Sequence, residues 1–117
     1  IVATLGTPWQ MDLEGSILFW ADVAEPAYRL DRMLTHLALS GSLRGIIGAV
    51  AGPCPCAPPE DQTVDWLEPL VDAARHHEGP LAWGLSSGHT TPNLALPLGW
   101  PAVFAAQAGQ PGQLLIG

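Results

Sequence analysis

Apolar residues gather along this chain in short runs separated by glycine and proline, and the period of the runs changes from segment to segment. Residues 16–21, SILFWA, form a continuous apolar stretch with β-branched and aromatic side chains between Gly15 and Asp22, the pattern of a strand covered on both faces. After Pro26, a residue suited to the first turn of a helix, Tyr28, Leu30, Met33, Leu34, Leu37 and Ala38 recur at helical spacing until Gly41. Residues 45–51, GIIGAVA, predict a second buried strand, followed by a loop rich in proline and acid that runs to about residue 62. Val64, Leu67, Leu70, Val71 and Ala74 share one helical face over residues 64–77, with Asp61 or Thr63 available as a cap and Pro69 positioned to kink the helix. Gly79-Pro80 ends that helix, and residues 81–83, LAW, open a third strand.

From Leu94 onward the pattern becomes short β segments: LALPL, PAVFAAQ and QLLIG, with AGQPG as a turn between the last two. Strand-helix-strand-helix-strand predicts an α/β domain with a parallel core sheet and flanking helices; the tail predicts a small antiparallel sheet or meander beside it. Residues 1–15 start in mid-pattern and read as a linker, the tail of a preceding unit, which leaves residues 16–117 as the domain.

At 117 residues and 48% hydrophobic, the chain has enough apolar surface for one core, and its 13 glycines and 12 prolines punctuate the apolar runs. Eleven acidic residues against four arginines and no lysine give a net charge of −7, so nucleic acid and anionic membranes are poor partners. No apolar run approaches membrane-spanning length and the N-terminus lacks a signal-peptide pattern, so the expectation is a soluble protein without an export signal of its own. Cys54 and Cys56 stand too close for an ordinary disulfide, and two lone thiols suit a reducing compartment. A metal site joining them to His76 and His77 is conceivable, but no second ligand pair has zinc spacing; neither a metal nor a cofactor is expected.

The candidate chemistry lies in residues 84–99, GLSSGHTTPNLALPLG, where turn residues present a single imidazole, His89, directly after the third strand. Ligands of parallel sheets collect beyond the carboxyl ends of the strands, and Asp22 and Glu25 lie just past the first. Ser86 and Ser87 read as turn hydroxyls, and no serine of the chain sits in a nucleophile elbow. Asn93 suits an Asx-type turn that fixes the histidine loop. Tyr28, Arg29, Asp31 and Arg32 read as a helix face carrying an Arg–Asp pair, with Arg29 or Arg32 alternatively able to orient a carboxylate substrate or a dimer partner. The five tryptophans read as core or interface anchors.

The segments TPWQMDLEGSILFWADVAEPAYRLDRMLTHLALSG, GIIGAVAG and GLSSGHTTPNLALPLG, in this order and spacing, closely resemble the C-terminal half of the LD-carboxypeptidases, also called muramoyltetrapeptide carboxypeptidases. The resemblance implies a swivelling β/β/α domain of a serine peptidase that removes the terminal D-alanine from murein tetrapeptide during cell-wall recycling in the bacterial cytoplasm. It also implies partners: a murein peptide substrate, an N-terminal domain bearing the nucleophilic serine, and a second copy in a homodimer. The family's histidine falls on His89, which would act as general base, and the family's triad glutamate falls on Ala21. Alanine can accept no hydrogen bond from an imidazole, so the chain as written is expected to be inactive; natural divergence and deliberate substitution would leave the same sequence. Asp22 or Glu25 could be proposed as a substitute acid, although alternation along a strand aims Asp22 away from the face of residue 21. A related self-immunity peptidase acting on a peptide-nucleotide antibiotic and a non-catalytic binding or dimerisation module are the alternative readings.

Overall fold

The computed structural model describes residues 1–23, 25–53 and 67–117. After a short 3-10 turn at Val2–Thr4, the described elements are β1 (Ile17–Trp20), α1 (Ala27–Leu39), β2 (Gly48–Ala51), α2 (Leu67–Ala74), β3 (Leu81–Trp83), β4 (Ala102–Ala105) and β5 (Gln113–Ile116). β1, β2 and β3 pair in parallel in that order, with Trp20 opposite Ala51 and Ala51 opposite Trp83, so all three strands finish on one rim. β4 and β5 form a separate antiparallel ladder in which Val103 faces Leu115. This is the expected α/β arrangement of a parallel core sheet, flanking helices and a small antiparallel sheet.

Alternation along the strands decides which layer each side chain meets. Leu18 and Ala49 point towards the helices and join Leu30, Leu34, Leu37 and Ala73 in one buried cluster, with Trp20 packed against it. The opposite face carries Ile17, Phe19 and Val50, which share a groove with Leu114 and Ile116 of β5. All four residues of β2 are buried because a layer covers each face. Small residues make that possible: a Cβ added to Gly48 would come within 2.8 Å of the Phe104 ring.

α1 begins at Pro26, whose carbonyl accepts the Arg29 and Leu30 amides at 2.9 and 3.3 Å, and its buried stripe is Ala27, Leu30, Leu34 and Leu37. Tyr28, which spacing assigns to that stripe, is exposed. The described part of the second helix closes at Ala74, and Arg75, His76 and His77 continue as turns bonded three residues back to Asp72, Ala73 and Ala74. The predicted helix start at residues 64–66, its caps Asp61 and Thr63, and Trp66, Cys54 and Cys56 lie outside the described residues. Pro69 is buried at the third position of the described helix. Residues 1–15 lie against the same core, with Leu13 buried in it and Val2 and Leu5 packed beside it.

One predicted β segment does not form. LALPL, residues 94–98, is irregular: the Leu94 amide donates to Ser86 instead of to a neighbouring strand, and Pro97 has no amide to give. The second ladder therefore has two strands among the described residues. β2 likewise starts at Gly48, three residues later than the apolar run suggests, since the Gly45 carbonyl accepts the Gly15 amide in the turn that leads into it.

A polar defect sits at the base of the core. His77 Nδ1 accepts the Gly79 amide at 3.1 Å, while Nε2 is buried and meets no hydrogen-bond partner among the described residues. The pocket that His77 shares with Leu18, Leu34, Leu70, Ala73 and Leu81 holds no other ionisable side chain, and burial pushes the ring below its ordinary titration range. The neutral ring is the folded form, so its contribution to stability is complete above the unfolded value near 6.5 and is lost as pH falls through the lower folded value. Urea midpoints measured from pH 8 to pH 5 should therefore fall on the acid side of about 6.5, and His77→Asn, which keeps an acceptor for Gly79, should flatten that fall.

Candidate active site

The three parallel strands release the chain at one rim, and backbone hydrogen bonds continue the ladder past their ends. The Trp20 carbonyl accepts the Gly52 amide at 2.8 Å, and the Ala51 carbonyl accepts the amides of Gly84 and Leu85 at 3.0 and 3.3 Å. The loop after β3 then folds back over the end of β1. A Cβ added to Gly52 would lie 2.7 Å from the Ser87 carbonyl oxygen and 3.1 Å from Ala21 Cβ, and one added to Gly88 would lie 2.8 Å from Ala21 Cβ. Gly88 also has φ +105°, a conformation that residues with a side chain rarely adopt. Glycine at both places is what lets the loop touch Ala21.

Ala21 thus faces the same side as Phe19, whose ring also borders Gly52. His89 follows Gly88 directly and its side chain is exposed. The exposed tip is braced rather than free: Ser87 Oγ donates to the Leu94 carbonyl at 2.8 Å, the Leu94 amide to Ser86 at 2.7 Å, and the Gly88 amide to Asn93 Oδ1 at 2.9 Å. Those bonds form a neck, with residues 89–92 as the tip. Asn93 fixes the loop, as its position suggested, but by reaching back five residues instead of through a local Asx turn.

The other candidates have local partners. Ser87 is buried with its hydroxyl spent on the loop neck, and Ser16 donates to the Leu13 carbonyl at the opposite end of β1. Asp22 Oδ1 accepts the Val23 amide at 2.7 Å. Glu25 pairs with Arg29 at 3.2 Å, so the salt bridge of this helix face is Glu–Arg and not the Arg–Asp pair that the YRLDR block suggests. Of the tryptophans, Trp20 packs on the core, while Trp9, Trp83 and Trp100 are 81%, 56% and 65% exposed, so these three are not core anchors. His76 lines a groove between α1 and α2, away from the buried His77 ring, and among the described residues no three His, Cys, Asp or Glu side chains gather as a metal site. Gly52 and Gly88 are the site residues that pattern reading passed over; their signal was a glycine immediately after an apolar run and another immediately before the lone histidine.

Chemically, the rim offers an exposed base on a braced loop beside a position occupied by a methyl group. It can exchange a proton, but Ala21 supplies no acceptor to hold the ring's second nitrogen.

Residues 1–104 match the LD-carboxypeptidase C-terminal domain family. The chain belongs to that family. A Bacillus subtilis (strain 168) protein named "Probable murein peptide carboxypeptidase" is 33% identical over 108 residues, covering 89% of this chain and 33% of that protein. The crystal structure of muramoyltetrapeptide carboxypeptidase from Oxalobacter formigenes matches with a TM-score of 0.83 at 35% identity, over 99% of this chain and 41% of that one. The microcin C7 self-immunity protein MccF, in its inactive-mutant apo state, matches with a TM-score of 0.71 at 22% identity, over 83% of this chain and 29% of that one, a likeness of fold. The chain spans about a third of the length of the curated relatives it matches. The LD-carboxypeptidase family is one of hydrolases, and the architecture of this carboxypeptidase domain agrees with that membership. Among the described residues no helix is long and apolar enough to cross a membrane.

The Ala21–Gly88 approach should be intolerant of any added carbon. Gly88→Ala is expected to cost about 1–3 kcal/mol in urea unfolding, because it combines an unfavourable φ with a clash on Ala21. In NMR spectra the largest amide shifts should fall on His89 and Asn93.

Proposed function

We propose that this chain is the C-terminal part of a serine-type LD-carboxypeptidase that releases the terminal D-alanine from murein tetrapeptide during cell-wall recycling in the bacterial cytoplasm. The observation that carries the reading is the contact between Ala21 and Gly88, which sets the family's acid position against the residue before His89. In this reading His89 takes the proton from a serine hydroxyl as its oxygen attacks the carbonyl of the third peptide residue. The tetrahedral intermediate collapses when the imidazolium returns that proton to the departing D-alanine amine, and water then repeats the cycle on the acyl-enzyme. Imidazole suits both transfers because it can take and give a proton near neutrality.

The serine comes from a separate N-terminal domain seated over the rim. The exposure of His89 supports this, because the ring has an open side from which a nucleophile on another domain could approach.

Ala21 removes the group that would hold the ring tautomer and stabilise the imidazolium. Asp22 lies two residues beyond the end of β1 with Oδ1 accepting the Val23 amide, and this reading assigns it no part in holding the ring. In another serine peptidase, loss of the triad acid's charge lowers turnover about 10⁴-fold. The domain therefore retains the base and the shape of the site without the acid.

In the protein with its serine-bearing domain intact, Ala21→Glu is expected to raise D-alanine release from tetrapeptide by about 10³- to 10⁴-fold. Adding His89→Ala should return the rate to that of the starting protein, and residues 1–117 alone should release nothing. No release from the Ala21→Glu protein would sink this reading.

A further inference from the structure

We infer that His77 is an acid-released latch: its neutral ring holds the corner between α2 and β3 closed, and its protonation frees that corner together with the edge strand that carries the histidine loop. The latch is a property of the domain and stands whatever reaction the rim performs.

Few bonds hold the corner. Beyond Ala74 the chain has turn bonds only, and the last of them, from the His77 amide to the Ala74 carbonyl, is 3.4 Å long. The Gly79 amide then donates to Nδ1 of the His77 ring, and the Pro80 carbonyl accepts the Ala49 amide at 2.9 Å at the entry to the β2–β3 ladder. Gly79 is seated against the Ile47 carbonyl with no room for a Cβ, so the ring, the glycine and the start of β2 pack as one unit. β3 has three residues and pairs only with β2 among the described strands. At its far end the Ala51 carbonyl accepts the amides of Gly84 and Leu85, the first residues of the loop that presents His89. A release at Pro80 leaves this short strand anchored from one end.

The bonding of the ring decides which protonation state fits. Because Nδ1 accepts from Gly79, the neutral ring carries its proton on Nε2. That N–H is buried without a partner among the described residues; the space beside it is about 10 Å³, and no side chain lining it can accept a hydrogen bond. A second proton lands on Nδ1, where it sets one donor against the Gly79 N–H and places a full charge among Leu18, Leu34, Leu70 and Leu81.

Among the described residues no acid faces the ring to offset that charge. β1, α1, β2, α2, β3 and the α1–β2 connection present hydrocarbon there, with the Trp20 indole. In the adjoining turn Arg75 pairs with Asp72 at 2.8 Å, His76 lies exposed in the α1–α2 groove with Asp31 and Asp72, and Glu78 is exposed; none of them lines the pocket. His77 as a whole is half-buried, so the charged ring reaches water by swinging out of the corner while Leu70 and Ala73 keep α2 on the core. The swing gives up the Gly79 bond.

Closure is complete above the ring's ordinary value near 6.5, and it weakens as pH falls towards the lower value of the closed form, below which it changes no further. Opening gains about tenfold for each unit between the two values.

Hydrogen exchange of the full chain from pH 8 to pH 5, read as protection factors to remove the intrinsic pH dependence, tests the latch. The amides of Ala49, Gly79, Gly84 and Leu85 should exchange as one group, and more readily than those of Leu34 and Leu37 in α1. Their protection should fall with pH by the factor that the NMR titration midpoint of His77 sets through its distance from 6.5. His77→Asn keeps an acceptor for Gly79 and takes up no proton, so it should hold their protection level across the range. His76→Asn should leave the fall in place. If His77→Asn does not fold, agreement between the titration midpoint and the exchange factor in the unmodified protein decides alone.

Protection equal to that of α1 at every pH, a His77 midpoint at or above 6.5, or a fall that survives His77→Asn would overturn the latch. Loss of protection at Ala49 and Gly79 with Gly84 and Leu85 unchanged would overturn its link to the histidine loop.

Discussion

The rim of this domain depends on a close approach between two pieces of chain that have almost no side chain between them. Gly52 and Gly88 leave out the carbons that would hold the post-β3 loop away from Ala21, and Ala21 contributes a single methyl group. With that gap closed, the neck bonds through Ser87, Asn93 and Leu94 can form, and the imidazole of His89 is held at a defined place while remaining in water. Exposure and fixed position usually oppose each other in loops, since an unsupported tip gains entropy by moving. Here three short-range hydrogen bonds restrain the loop beneath the tip.

The layers below serve that contact. β2 is covered on both sides, by the leucine-rich helices on one face and the β4–β5 ladder on the other, and its small residues let both come near. The strand ends are thereby kept level, and the exits of β1 and β3 reach the same rim. The core is not uniformly apolar: His77 inserts a ring nitrogen, without a partner among the described residues, between Leu18, Leu70 and Leu81. Burial of that ring ties the stability of the helical layer to its neutral form.

The site separates shape from chemistry. The residue at position 21 touches the loop through its Cβ, which alanine shares with larger side chains, so the approach of the loop depends on Gly52 and Gly88 and on no group beyond that carbon. Of the neighbouring carboxylates, Asp22 Oδ1 accepts a backbone amide and Glu25 pairs with Arg29. Ala21 and His89 belong to segments distant in sequence that only the parallel sheet brings to one rim.

What the sequence determined by itself was whatever depends on near neighbours. The leucine stripe of α1 and its stop near Gly41, the three parallel strands in βαβαβ order, and a turn-rich loop presenting one histidine were all legible from period and punctuation. The family resemblance, carried by motifs quoted in order, drew attention to positions 21 and 89. Tertiary structure decided the rest. LALPL has a strand's composition, yet its first amide is taken by Ser86 and its proline cannot donate, so it remains a loop. Tyr28 fits the helical stripe by spacing but faces water, and sequence could not say whether Trp83 would be a core or an interface tryptophan; it lies open beside a groove. The meeting of Ala21 with Gly88 was likewise beyond any local pattern. Periodicity reports which face a side chain takes, whereas contacts between distant segments are chosen by how whole layers pack and by where a missing Cβ allows two backbones to touch.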